Sequence, residues 1–167
     1  MKRYALRLAC AVGALATVSM ASAFTWTLSG LMDGLQEVPP NASPGFGSFT
    51  GTLDDVTGAV TLSGTFGGLL AAATAAHIHG PALPGVNGPV IVPLTVTNAT
   101  SGTVTGAGVL TPTQVLDMLA GRHYVNVHTS AFPGGEIRGQ ISAVPEPGTL
   151  AALCLGAAAL MRRRRTR

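Results

Sequence analysis

Val60-Thr61-Leu62-Ser63-Gly64-Thr65-Phe66 sets Val60, Leu62 and Phe66 on one parity with Gly64, and Thr61, Ser63 and Thr65 on the other. Successive side chains of a strand point to opposite faces, so this stretch predicts a strand with one buried and one solvated face, as in an antiparallel sheet. Val90, Val92, Leu94 and Val96 repeat the pattern. Further candidate strands are 24–29, 45–53, 103–109, 123–129 and 136–142, separated by Gly, Pro and Asn turns. Seven or so short strands predict an all-β fold, a β-sandwich.

One short helix interrupts them. Thr111-Pro112-Thr113-Gln114 offers an N-cap, a proline at the first helical position and a glutamine at N3, and Gly121 ends the segment. Val115, Leu116 and Leu119 are its expected buried face. Ser130 to Gly135 predicts a wide hairpin joining the last two strands.

The ends differ from this body. Lys2, Arg3 and Arg7 precede an apolar run from Leu8 to Met20, and Ala21-Ser22-Ala23 forms a small-residue cleavage site. The run is shorter than the roughly 20 residues a spanning helix needs, so 1–23 is read as a cleaved signal peptide, with Phe24 as the new N-terminus. Export machinery and a signal peptidase are therefore expected partners. At the far end, Val144-Pro145-Glu146-Pro147-Gly148 precedes an apolar stretch from Thr149 to Met161 and then Arg162 to Arg165. That order predicts a short transmembrane helix held by a cytoplasmic, arginine-rich tail.

These ends also account for the charge. The whole chain is net +3, but 24–143 holds only Arg122 and Arg138 against Asp33, Glu37, Asp54, Asp55, Asp117 and Glu136. An acidic body with no basic stripe excludes nucleic acid as a partner. Cys10 and Cys154 both lie outside the body, which can form no disulfide and must rely on a core. Its length suits a single domain, giving 1–23, 24–143 and 144–167 as signal, body and tail.

Val144-Pro145-Glu146-Pro147-Gly148, the Ala/Leu/Gly stretch and the arginine cluster resemble the PEP-CTERM sorting signal. The resemblance implies a Gram-negative bacterium and an exosortase-type enzyme cutting near Pro145, Glu146 and Pro147. It also implies an intermediate held in the inner membrane, then the cell surface or a biofilm matrix.

Four segments stand out from the Gly/Thr background: Leu35 to Pro40, Ala76 to Pro81, Tyr124 to Thr129 and Gly135 to Gln140. Together they resemble the CHRD domain, named from chordin, over about 27–142. The resemblance implies an Ig-like or Cu/Zn superoxide dismutase-like β-sandwich, here flanked by terminal apolar targeting helices. It brings no established activity.

The residues support their own reading. His77 and His79, two apart on a strand, share a face, and two imidazoles so placed can chelate one ion. His128 lies on one face with Tyr124 and Asn126, and Glu136 begins the next strand, so His77, His79, His128 and Glu136 are candidate ligands for copper or zinc. His123, of opposite parity, is expected to face away. The alternative is that His77 and His79 bond backbone groups of the Gly80 to Pro89 loop and fix its path. Glu136 and Arg138 are expected as an exposed pair, and Glu37 with Glu136 is a weak match to a glycosidase carboxylate pair. Nucleophile and phosphate-loop motifs are missing, and four histidines are few for dismutase chemistry. The expected function is a non-enzymatic binding or structural module of the cell envelope or matrix, with matrix polysaccharide or an envelope protein as partner. A copper- or zinc-binding domain, with superoxide dismutase-like activity as its extension, is the alternative.

Overall fold

The computed structural model describes residues 24–146 together with Gly148 and Met161. The expected signal peptide, its cleavage residues Ala21 and Ala23, Pro147 and most of the tail lie outside the described residues. Among those described, no helix is long and apolar enough to cross a membrane.

The strands are β1 (Thr25–Asp33), β2 (Phe46–Asp54), β3 (Ala59–Gly67), β4 (Ala73–His79), β5 (Val90–Val96), β6 (Gly102–Val109), β7 (Tyr124–Thr129), β8 (Ile137–Gln140) and β9 (Ser142–Pro145). A 3-10 turn at Gly34–Gln36 follows β1, and helix α1 (Pro112–Leu119) joins β6 to β7. Strand order is β2-β3-β6-β5-β4-β7-β8-β1-β9, with β1 also paired to β2. The sheet therefore closes on itself. β8 and β9, separated by Ile141, run on along β1, where Arg138 opposes Asp33 and Pro145 opposes Trp26.

The expected sandwich is thus corrected to an eight-stranded closed antiparallel barrel. Alternation cannot separate the two, because both bury every second side chain; the difference lies in β1 finding a partner on each side. The connections from β3 to β4, which passes β6 and β5, and from β6 to β7, which passes β5 and β4, set β7 beside β4 and β6 beside β3, which is Greek-key topology.

The period of two predicts the core. Val60, Leu62 and Phe66 are buried, and their intervening hydroxyl residues are exposed. Leu28, Phe49, Leu53, Val104, Val125 and Ile137 complete the barrel interior. In α1 the expected capping box forms: Gln114 N–H donates to Thr111 Oγ1, and Thr111 N–H donates to Gln114 Oε1. Its buried face is corrected to Val115 and Met118, one turn apart, while Leu116 is 67% exposed. Leu119 is only partly buried.

Candidate functional site

The outer wall formed by β4, β7 and β8 is not left to water. Its strands put Val125, Val127 and Ile137 into the core, so Tyr124, Asn126 and Arg138 must point outward by alternation. All three are nevertheless at most 2% exposed. Two loops cover them, 80–89 from β4 and 34–45 from β1.

Arg138 holds the first loop. Its guanidinium lies over the Tyr124 ring at 3.5 Å and donates to Val86 O at 2.9 Å and Leu83 O at 3.4 Å. Gln140 Nε2 donates to Ala82 O and Gly121 O. Tyr124 Oη accepts from Gly88 N–H at 3.1 Å, and Asn87 Nδ2 donates across to Val38 O. Gly80 begins this loop at φ +157°, and a Cβ there would meet the His123 ring at 2.5 Å. Glycine is required by both conformation and space.

Glu37 reaches in from the second loop and is 4% exposed. Its Oε2 accepts from Asn126 Nδ2 at 3.3 Å, while Glu37 Oε1 and Asn126 Oδ1 have no partner. Burial pushes the Glu37 carboxyl up to about 7, against the pull of the Arg138 charge. Gly135, at φ +134°, passes so close that a Cβ would lie 2.6 Å from Glu37 Oε1. A cleft of about 330 Å³ runs from Leu35 and Glu37 to Pro84, Arg138 and Gln140.

The three histidines lie on this wall. β4 and β7 pair with His77 opposite Asn126 and His79 opposite Tyr124, and one nitrogen from each of His77, His79 and His128 lies within 4.8 Å of the others. His77 Nδ1 and His128 Nε2 are 3.1 Å apart. His79 is 8% exposed and stacks on Tyr124 with centroids 4.9 Å apart, whereas His77 and His128 are half-buried. His79 Nδ1 is 3.0 Å from Gly88 O, and His128 Nδ1 is 2.9 Å from Pro133 O. A carbonyl only accepts, so both Nδ1 atoms carry protons; His79 Nε2 has no partner, and His128 Nε2 is within hydrogen-bond distance of His77 Nδ1. Burial first, and the neighbouring His128 imidazole second, hold His77 below the usual histidine range; burial also lowers His79. Neutral imidazoles are the metal-binding form.

The candidate ligand set is therefore brought together in part. His77, His79 and His128 converge, and His79 also bonds the Gly80 to Pro89 loop. Glu136 does not join them. Its Oε1 accepts from Ser43 Oγ and Leu70 N–H and its Oε2 from Thr129 Oγ1, all at 2.6 Å, so the carboxylate is consumed in tying together the hairpin and two loops. Nor is there an exposed Glu136–Arg138 pair: both are buried with separate partners. The glycosidase reading of Glu37 and Glu136 loses its support too, since each is buried among structural partners. His123 faces away as expected and is fully buried, its ring nitrogens unpartnered and its pKa lowered by burial. Sequence reasoning missed the burial of Arg138, whose planar cation is screened from water by Tyr124 and the loop carbonyls; the nearby Tyr124 and Gln140 on matching parity were the available signal.

Fold and site together define a small Greek-key barrel protein with a histidine cluster and a buried arginine beneath two loops on its outer wall. Residues 28–141 match the CHRD domain, and the chain belongs to the CHRD domain family. Residues 143–165 match the PEP-CTERM protein-sorting motif. The motif marks the chain for export and surface sorting by an exosortase-type enzyme. No curated protein and no solved structure matches the chain. The segments that carry the family resemblance, from Leu35, Ala76, Tyr124 and Gly135 onward, are those that build the outer wall and its cover.

Proposed function

We propose that this chain is a non-enzymatic binding or structural module of the Gram-negative cell surface or biofilm matrix, delivered there by its sorting motif. The presence of a CHRD domain and a PEP-CTERM motif on one chain carries this reading. The barrel's geometry supports it. Pro145 pairs with Trp26 and Glu146 N–H bonds Thr25 O, so the sorting motif begins at the barrel end where the body also starts. β1 runs nine residues from there to Asp33, about 26 Å at the usual strand rise. The loops bearing Glu37 and Gly135 stand toward the opposite end, suited to face outward from a tethered base.

The test is fractionation of an exosortase-containing host expressing the full chain or a Pro145→Ala/Glu146→Ala/Pro147→Ala variant, followed by capture of the surface form on matrix polysaccharide. The reading expects surface display and retention of the unaltered chain, with display lost in the variant. A displayed chain that retains no matrix component would overturn the binding role while leaving the sorting intact.

A further inference from the structure

We propose that His77, His79 and His128 bind one divalent transition-metal ion, zinc or copper(II), leaving a coordination position open to solvent. The proposal deepens the binding-module reading, but it does not depend on the chain's route to the surface.

Three observations support it. The three imidazoles are supplied by adjacent paired strands, so their spacing is set by the barrel rather than by loop movement. Zn–N bonds of about 2.0–2.1 Å in a tetrahedron place ligand nitrogens about 3.3 Å apart. His77 Nδ1 and His128 Nε2, 3.1 Å apart, meet that spacing once the ion replaces the proton they share and His77 carries its proton on Nε2 instead, and no separation in the cluster exceeds 4.8 Å. Second, His79 Nε2 is buried with no partner, a cost that hydrogen bonding to the loop does not remove because that bond uses Nδ1. Third, His79 and His128 each have the far ring nitrogen anchored on a backbone carbonyl, which fixes the tautomer and aims Nε2 into the cluster. A cluster that served only to pin the 80–89 loop would use His79 alone.

Half-exposure of His77 and His128 leaves the outer side accessible. Neutral nitrogen ligands suit zinc and copper over calcium or magnesium, which demand oxygen. With Glu136 committed elsewhere, no carboxylate completes the set, so water or a ligand oxygen would occupy the remaining position.

The full chain, stripped with chelator, is titrated separately with zinc chloride and copper sulfate. Binding is read by elemental analysis after dialysis and by thermal melting. The expected result is one ion per chain and a melting temperature raised by several degrees. His77→Ala/His128→Ala lowers affinity at least 100-fold. His77→Ala alone, altering one half-exposed ring, removes one nitrogen from the copper electron paramagnetic resonance pattern and keeps the test open should the double variant misfold. No stoichiometric ion and no melting shift would overturn the site. So would binding unchanged in the histidine variants, which would locate the ion elsewhere on the chain.

Discussion

β7 has two sides that solve different problems with adjacent residues. Val125 and Val127 enter an apolar interior, while Tyr124 and Asn126, equally hidden, and the half-buried His128 enter a polar wall. The inner side is stabilised by area removed from water and tolerates apolar exchanges that conserve volume. The outer side requires each polar atom to find a particular partner, and three that do not, on Glu37, Asn126 and His79, lie on this wall, the other two among the described residues being the ring nitrogens of His123.

Ile137 and Arg138, neighbours on β8, allow the two sides to be compared directly. Arg138→Ala is expected to cost about 3–5 kcal/mol, since it leaves the Val86 and Leu83 carbonyls without their donor and removes the cation from the Tyr124 face. Ile137→Ala is expected to cost about 2–5 kcal/mol from lost burial and the cavity left behind. Urea denaturation of both measures this. An Arg138 variant within about 0.5 kcal/mol of the parent would show the loop cover to be loosely held and would erase the distinction.

The outer side also responds to pH, and in two opposite senses. Glu37 is raised from 4.5 to about 7 in the folded chain, so the folded state holds this proton more tightly than the unfolded state. Stability is therefore full below about 4.5 and falls as pH rises toward 7, by about 1–3 kcal/mol after solvent screening is allowed for. His77, His79 and His123 act in the opposite sense. Their lowered folded values mean that stability is lost as pH drops below the ordinary histidine range. Glu37→Gln is expected to abolish the decline between pH 5 and pH 7 and leave the acid-side loss. Denaturation midpoints across that range decide it, and an unchanged decline would assign it to another group.

Smaller effects sharpen the contrast. Thr111→Ala, which removes the α1 cap remote from both sides, is expected to cost about 1 kcal/mol. His77→Ala without metal is expected to change stability by less than about 0.5 kcal/mol, because a half-exposed ring carries little packing. A large loss there would make the histidines structural.

The inner side was legible in the sequence, and the outer side only partly. Alternation in Val60 to Phe66 fixes which residues are buried, and the i,i+2 spacing of His77 and His79 fixes their shared face. Parity also sets His123 apart. Closure of the barrel was not legible, because it depends on β1 pairing with both β2 and β9, a relation between distant segments. Nor was the burial of Glu37 and Arg138, since outward parity implies water until a loop is known to cover it. Glu136 misled for the same reason: it precedes the regular strand, and its partners Ser43 and Leu70 come from distant loops.

X-ray absorption at the metal edge of the loaded full chain tests the central claim most directly, that the outer wall of β4 and β7 is a ligand site. Three imidazole nitrogens at about 2.0–2.1 Å are predicted, with one fewer in His77→Ala. A shell of oxygen or sulfur without imidazole scattering would contradict it.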